Sequence, residues 1–148
     1  MAAAQPSATP IGAHARTVPL PSGGGADFKY ACSIALPAQA GQRVNGEILI
    51  NAHFDFIVRR VTWDYFTRTG IPPKVRLAWR DNRRSYLDRK ALIGAVFGNP
   101  GDDYPFTTGL LLRRGNTISF ELDTLEDNNE GSIDIVLHGV ELRPQDDG

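Results

Sequence analysis

The chain has 148 residues, a length typical of one domain with a substantial core. Its net charge of -1 at pH 7 argues against a protein whose main task is to coat nucleic acid or an anionic membrane, because both tasks favour a basic excess. The single cysteine, Cys32, excludes an internal disulfide, which is typical of proteins made or assembled in a reducing cytoplasm.

The first 26 residues are rich in Ala, Pro, Gly and Ser. Their prolines remove backbone donors and Ser22–Gly25 is a flexible joint, so we predict an extended, flexible N-terminal arm over 1–26. This arm is a disordered tail or a segment that orders against a neighbouring subunit, and disorder in the free chain is compatible with docking. A sandwich domain over 27–144 and a tail over 145–148 are expected to follow. The N-terminus lacks the features of a secretory signal, and no apolar run approaches the ~20 residues that span a bilayer.

From Phe28 onward the chain is a series of short, alternating segments separated by turn signals. We predict strands over Phe28–Leu36, Arg43–Ile50, His53–Phe66, Val75–Arg80, Phe106–Arg113, Thr117–Asp123 and Ser132–Leu142. Ser85–Phe97 fits either a helical turn or a loop that enters a strand. The series, with no regular helix, predicts an all-β fold: an antiparallel, jelly-roll-like β-sandwich.

The alternation changes phase at two places. One change falls at Arg59-Arg60 in the third predicted strand and indicates a β-bulge or a bend between sheets. The other falls at Gly139, after which we expect Val140 and Leu142 to point inward, since glycine commonly marks bulges.

Thr117–Asp123 and Ser132–Leu142 are joined by a polar loop, a pattern that predicts a terminal β-hairpin. The loop, Asp123–Gly131, carries several carboxylate and amide side chains that suit a cation such as Ca²⁺. It lacks the spacing of a calcium-binding loop, so a solvated surface loop that faces arginines on a neighbour is the favoured interpretation.

No catalytic or metal-binding signature is recognisable. His14, His53 and His138 match no metal-binding motif, and Cys32 has no second cysteine with which to share a zinc ion. We therefore expect no enzymatic activity, no metal site and no cofactor, and a core position for Cys32. Trp63 and Trp79 also fall on inward faces; if they were exposed side by side, they would indicate a carbohydrate-stacking platform.

Arginines occur in a dense run and in two pairs. Arginine binds carboxylates through paired hydrogen bonds and is enriched at protein interfaces, so arginine clusters and acidic loops on one chain favour contacts between subunits. An ordinary mixed-charge surface is the alternative for any single residue. The predicted protein-interface residues are Arg59, Arg60, Arg80, Arg83, Arg84, Arg113 and Arg114.

The order of these features resembles the small jelly-roll proteins of tailed-phage virions, including head decoration or cement proteins. The segments that carry the resemblance are Phe54–Val58, Val75–Asp81, Leu92–Gly98, Tyr104–Phe106, Arg114–Leu122 and Ile133–Leu142, the last with a Leu137-His-Gly139 ending. The resemblance implies a virion structural protein on the capsid exterior, assembled in the host cytoplasm. Its expected partners are the major capsid protein and further copies of itself, as a homodimer or homotrimer, with no direct nucleic acid or membrane contact.

Two other functions are compatible with a β-sandwich. A carbohydrate- or receptor-binding domain of a phage tail or fibre would expose Trp or Tyr beside Asp or Asn. A cupin-like enzyme would need a cluster of metal ligands.

Overall fold

The computed structural model describes residues 17–18, 25–82, 84–128 and 130–143. Nearly all of its regular structure is β-strand, with one short helix, as the alternating sequence predicts. In chain order the elements are β1 Thr17–Val18, β2 Gly25–Leu36, β3 Arg43–Leu49, β4 Asp55–Thr67, β5 Val75–Arg80, β6 Ala91–Leu92, α1 Ile93–Phe97, β7 Tyr104–Leu112, β8 Thr117–Thr124 and β9 Gly131–Leu142. The ambiguous segment before Phe97 is thus a loop that enters a two-residue strand and then one helical turn.

The strands form two antiparallel sheets that pack face to face. The large sheet has the order β1-β7-β4-β9-β2, and the small sheet has the order β3-β8-β5-β6. Without β1, the two sheets pair β2-β9-β4-β7 with β3-β8-β5-β6, which is the eight-stranded jelly-roll arrangement. The predicted jelly-roll-like β-sandwich is confirmed.

The predicted terminal hairpin is wrong, because β8 and β9 lie in opposite sheets. β8 pairs with β3 and β5, whereas β9 pairs with β2 and β4. The loop between β8 and β9 carries the chain from one sheet to the other. Alternation identifies the buried side of each strand but does not identify the strand that supplies its hydrogen bonds. Both apolar sides are buried in the common core, through Ile118, Phe120, Leu122, Ile133, Ile135 and Leu137.

The inward positions predicted for both tryptophans and for Cys32 are confirmed. Trp63 and Trp79 are 4% and 3% exposed, and Cys32 is also buried. The Trp79 and Phe120 rings are parallel, with 5.8 Å between their centroids, and aromatic pairs favour such a stacked arrangement. The Trp63 indole N–H donates to the Gly98 carbonyl at 2.8 Å, so burial leaves it with a partner. A side-by-side tryptophan platform is therefore not present on the surface.

The predicted bulge at Arg59-Arg60 is confirmed, because the pairing of β4 with β9 shifts by one residue between Val58 and Arg60. Because of the bulge, the Arg60 side chain lies on the outer side of the sheet. The next side chain, Val61, points into the core. Irregular pairing of this kind is a common way to re-aim a side chain.

The predicted slip at Gly139 is wrong. β9 pairs with β2 in unbroken register from Gly25↔Leu142 to Leu36↔Gly131, so Gly139 simply points inward opposite Val58. A Cβ there would lie 1.9 Å from the Ile57 carbonyl oxygen, so glycine is required by the close approach of β4. The next inward position belongs to Glu141, which is 2% exposed, rather than to Val140.

The predicted arm and tail fall mainly outside the described residues. Of the arm, Thr17–Val18 pairs with β7 at the edge of the large sheet, and Gly25 opens β2. The tail at 145–148 and His14 lie outside the described ranges. Across the described residues, the structure contains no helix of the length and apolarity needed to cross a membrane.

Candidate functional site

One end of the sandwich gathers three loops and most of the predicted interface arginines. The Ile50 amide donates to the Asn116 carbonyl at 2.9 Å, and the Thr117 amide donates to Asn82 Oδ1 at 2.8 Å. These bonds bring the β3–β4, β5–β6 and β7–β8 connections to the same end. We call this the arginine end; among the described residues its cations are Arg80, Arg84, Arg113, Arg114 and Arg143.

Four of the seven predicted arginines therefore meet there, and two do not. Arg59 and Arg60 lie at the bulge of β4 on the large sheet. Arg83 lies outside the described residues. Sequence reasoning missed Arg143, whose guanidinium contacts the buried Glu141 carboxylate at 2.8 Å. The signal for it would have been Glu141 at an inward position, which an unbroken alternation through Gly139 places there, since a buried charge needs a partner.

The arginine end carries more positive than negative charge. Asp55 is shared by two arginines, with Arg113 Nη1 at 3.6 Å and Arg114 Nε at 4.0 Å. Among the described residues, five arginines stand against four carboxylates, those of Asp55, Asp81, Glu141 and Glu47, the last in the same cross-strand row as Arg80, a difference of one positive charge. The side chains of Arg113 and Arg114 are more than half exposed, so their guanidinium groups can contact carboxylates on another molecule.

The acidic loop between β8 and β9 lies at the opposite end and uses its carboxylates within the chain. Glu126 pairs with Lys74 at 3.1 Å, and Glu130 pairs with Arg68 at 3.5 Å. The Asp127 carboxylate accepts the Ala40 amide at 2.8 Å. The carboxylates are thus spread over separate partners. Within the described ranges, no three His, Cys, Asp or Glu side chains are grouped so that they could hold a metal ion.

The outer face of the small sheet carries a closed charge cluster, formed by Arg43, Lys90, Glu121 and Asp123. Lys90 Nζ contacts both carboxylates, with Asp123 at 2.8 Å, and Arg43 Nε lies 3.1 Å from Asp123. Burial alone would raise the pKa of Asp123, but the hydrogen bonds from Lys90 and Arg43 outweigh it and lower that pKa. Each charge in the cluster therefore has an opposite neighbour.

A polar cleft of about 280 Å³ adjoins this cluster on the same face. Its side chains come from β3, β5, β8 and the Ser85 bridge: Asn45, Glu47, Ala78, Arg80, Ser85, Ser119 and Glu121. Glu47 and Arg80 flank Ser119 in one cross-strand row, with opposite charges on the two sides of the cleft. The lining offers hydrogen-bond donors and acceptors but no aromatic ring.

The outer face of the large sheet has a basic row, formed by Lys29, His138 and Arg60 on adjacent strands. Arg60 donates to His138 Nδ1 at 3.4 Å, so the neutral ring carries its proton on Nε2, which lies 2.9 Å from the Thr62 hydroxyl. Burial lowers the pKa of His138, and the charges of Arg60 and Lys29 lower it further. His138 thus bonds to side chains rather than to the backbone.

The bulge extends this basic row. Arg59 lies in the same shallow pocket as His138 and contacts Asp27 at 3.3 Å. Arg60 Nε lies 3.2 Å from an Asp103 oxygen but does not meet the angular requirement of a hydrogen bond, so the contact is an ion pair only.

An acidic pair follows on the same face. Asp64 of β4 lies directly opposite Asp134 of β9, and both side chains are exposed. Between the basic row and this acidic pair lies a neutral row of Ala31, Val136 and Thr62. Like charges placed opposite each other destabilise a sheet, so the acidic pair costs free energy in the isolated chain.

The lone cysteine does not have the environment of a nucleophile. Burial is the largest influence on the Cys32 thiol and raises its pKa, which lowers the fraction of reactive thiolate. The thiol packs beside Gly46 of β3, where a Cβ would lie 2.5 Å from the sulfur. Cys32 therefore packs in the core between β2, an edge strand of the large sheet, and β3, an edge strand of the small sheet.

Comparison with known proteins gives no family assignment. No protein-family profile matches the chain. A search of curated proteins finds no significant sequence match. The function must therefore be argued from the fold and from the charged surfaces.

Proposed function

We propose that this chain is a non-enzymatic virion structural protein that binds the outside of a phage capsid and stabilises contacts between major coat subunits. The observation that carries the proposal is the arginine end, where Arg80, Arg84, Arg113 and Arg114 meet on a jelly-roll framework. The capsid as partner comes from the resemblance to phage decoration proteins. The charge of this end adds the chemistry of the contact, which is recognition of carboxylates on the coat surface.

The arginine end suits a protein partner rather than a small substrate. Exposed guanidinium groups make paired hydrogen bonds to carboxylates, and they lose less hydration on contact than ammonium groups do. Such contacts speed association and select the partner, and they weaken as salt screens the charges. We therefore expect capsid binding that falls as ionic strength rises.

The test is cosedimentation of the purified full-length chain with capsids that lack it. The variant Arg113→Glu/Arg114→Glu reverses two exposed charges at the arginine end, and we expect occupancy to fall at least about tenfold at fixed protein concentration. The matched control is Arg68→Glu, an exposed arginine that pairs with Glu130 at the opposite end.

The result has three readings. Loss of binding by the double variant with normal binding by the control supports the proposal. Equal binding by wild type and both variants would exclude the arginine end as the contact surface. Absence of the wild-type chain from particles at every salt concentration would overturn the capsid function as a whole.

A carbohydrate- or receptor-binding role is the second candidate, favoured by the polar cleft on the small sheet. The buried tryptophans remove the aromatic platform expected for it, so recognition would rest on hydrogen bonds from Asn45, Glu47 and Arg80. Calorimetric titration with a panel of glycans, repeated on Asn45→Ala, tests this role. Absence of binding across the panel would exclude it.

A further inference from the structure

The outer face of the large sheet carries a basic row and an acidic pair, and the described chain neutralises them only in part, through the contact of Arg60 with Asp103. In the basic row, Lys29 and Arg60 flank His138; in the acidic pair, Asp64 faces Asp134. Lys29, Asp64 and Asp134 form no ion pair within the described residues. The acidic pair has a cost of like-charge repulsion that a basic partner would remove, and Lys29 has a charge that an acidic partner would neutralise.

The two groups are too far apart to neutralise each other within one chain. On β4 and on β9 alike, the acidic residue lies four positions from the basic row, which is about 13 Å along a strand. That separation exceeds the Debye length of about 8 Å at physiological salt. The neutral row of Ala31, Val136 and Thr62 lies midway between them.

We propose that this face binds the same face of a second copy of the chain, forming a two-fold symmetric dimer. The two-fold axis lies in the interface and runs across the strands through the neutral row. This rotation places Arg60 against the partner's Asp64 and His138 against the partner's Asp134, and each contact occurs twice. One symmetry operation therefore gives each carboxylate of the acidic pair a basic side chain opposite it, while Lys29 lies against the partner's Ser33, beside the partner's Asp134.

The shape of the face allows such a contact. Its β2 side presents Ala31, Ser33 and Ala35, which are exposed and small enough for two sheets to approach closely. Packed sheets cross at about 30°, which displaces groups near the axis by about 3 Å, a distance that an arginine side chain can follow. Phe66, 72% exposed at the acidic end of the same face, adds apolar surface to bury.

The size of the face predicts weak association. Three strands span about 14 Å, and seven residues span about 23 Å, so the patch is smaller than the roughly 800 Å² per partner of a standard stable interface. We expect a dimer that forms at high micromolar concentration in solution. This self-association does not depend on the capsid role, and it would be strengthened wherever many copies are held together.

The experiment is sedimentation equilibrium of the full-length chain over a wide concentration range, with a charge-swap series. Arg60→Glu and Asp64→Arg should each weaken dimerisation at least about tenfold, because each creates two repulsive contacts per dimer. The double variant Arg60→Glu/Asp64→Arg should restore association, since the partner's residues change together. Restoration within one chain is excluded by the separation of about 13 Å between the two side chains.

Two further measurements keep the outcome clear. Glu47→Arg, an exposed change on the small sheet, is the matched control and should leave association unchanged. Because Arg60 also pairs with Asp103, Asp134→Lys provides a second disrupting variant that breaks no ion pair of the described chain. Thermal unfolding of each variant checks that it is folded.

A wild-type dimer that single variants weaken and the double variant restores supports the proposal. A chain that remains monomeric at every concentration would overturn it. A dimer that is insensitive to the charge changes, or a trimer, would equally overturn it.

Discussion

The two outer faces of the sandwich carry comparable charged side chains but arrange them in opposite ways. On the small sheet, Lys90 and Arg43 contact Glu121 and Asp123, so cations and anions are neighbours. On the large sheet, side chains of the same type are neighbours. The basic row contains Lys29, His138 and Arg60, and the acidic pair of Asp64 and Asp134 lies four residues away along the strands. The residue types on the two faces are similar, and the faces differ in which types lie next to each other across the strands.

This difference separates a face whose charges are paired within the chain from a face on which some charges are not. Cross-strand pairs of opposite charge stabilise a sheet and pairs of like charge destabilise it, each by up to about 1 kcal/mol. The small sheet gains from its own charges in the isolated chain. On the large sheet, Arg59 and Arg60 contact Asp27 and Asp103. Lys29, Asp64 and Asp134 form no ion pair within the described residues, so their charges stabilise only a complex in which opposite charges lie against them.

The largest expected effect comes from Gly139, which allows the bulge that presents Arg59 and Arg60. A Cβ would lie 1.9 Å from the Ile57 carbonyl oxygen and 2.9 Å from the Phe56 ring, so Gly139→Ala forces β4 and β9 apart. We expect the free energy of unfolding to fall by about 3 kcal/mol, measured by urea titration. Gly94→Ala is the control, because a Cβ there has no neighbour within 4 Å; equal loss from both would contradict the steric explanation.

A smaller effect distinguishes the two faces directly. Lys90→Met removes the cation between Glu121 and Asp123 and leaves those carboxylates close together, so we expect stability to fall by about 1 kcal/mol, a value already discounted for solvent screening. Lys29→Met removes a lysine without a described ion pair and should leave the stability of the monomer unchanged or slightly raised. Chemical denaturation of both variants at low protein concentration makes the comparison, and equal losses would sink it.

Mild acid should affect the large sheet first. The pKa of His138 is lowered by burial and by Arg60 and Lys29, so the unfolded chain binds a proton there more readily than the folded chain. The stability that this neutral histidine contributes is present above its ordinary pKa of about 6.5 and is lost as the pH falls below it. Thermal unfolding from pH 7.5 to 5 should show a shallower pH dependence for His138→Gln than for wild type, and parallel curves would contradict this.

The small sheet should respond only in stronger acid. The pKa of Asp123 is lowered, since its hydrogen bonds from Lys90 and Arg43 outweigh the effect of burial, so its contribution is present above about pH 4 and is lost as the pH falls further. The same unfolding series on Asp123→Asn should therefore match the wild-type slope between pH 7.5 and 5. A change of slope between pH 7.5 and 5 would contradict the assignment of the mild-acid response to the large sheet.

The smallest effect has the opposite sign in the monomer and in the dimer. Asp134→Asn removes the like-charge pair with Asp64, so the dilute monomer should gain a few tenths of a kcal/mol in stability. At high concentration the same change should weaken the proposed self-association. Stability measured at both concentrations checks the two signs, and a loss in the dilute monomer would show that the pair is not repulsive.

The sequence predicted which side of each strand is buried better than it predicted strand neighbours. Trp63, Trp79 and Cys32 are in the core as expected, because alternation with period two reports burial directly. The terminal hairpin was wrong because hydrogen-bonded partners are set by sheet topology, which alternation does not encode. Gly139 was misread for a related reason: a residue without a side chain interrupts the apolar pattern even though the backbone register continues.

The candidate surfaces were predictable only in part. Arg80, Arg84, Arg113 and Arg114 meet because three loops converge at one end, which follows from the jelly-roll order rather than from their spacing in sequence. The basic row and the acidic pair combine residues from the beginning, middle and end of the chain. Without knowledge of the strand pairing, no local pattern around Lys29 or Asp134 indicates that they share a face.

The pairing of β2 with β9 also limits how early the sandwich can fold during synthesis. Gly25 pairs with Leu142, so the first long strand of the sandwich waits for nearly the whole chain before it acquires its neighbour. Contacts of such large sequence separation require the entropy of closing a long loop before they contribute any stability, which slows folding. During synthesis, at roughly 5–20 residues per second, β2 has no strand to pair with until β9 has left the ribosome. Chains that end before β9 should therefore aggregate rather than fold.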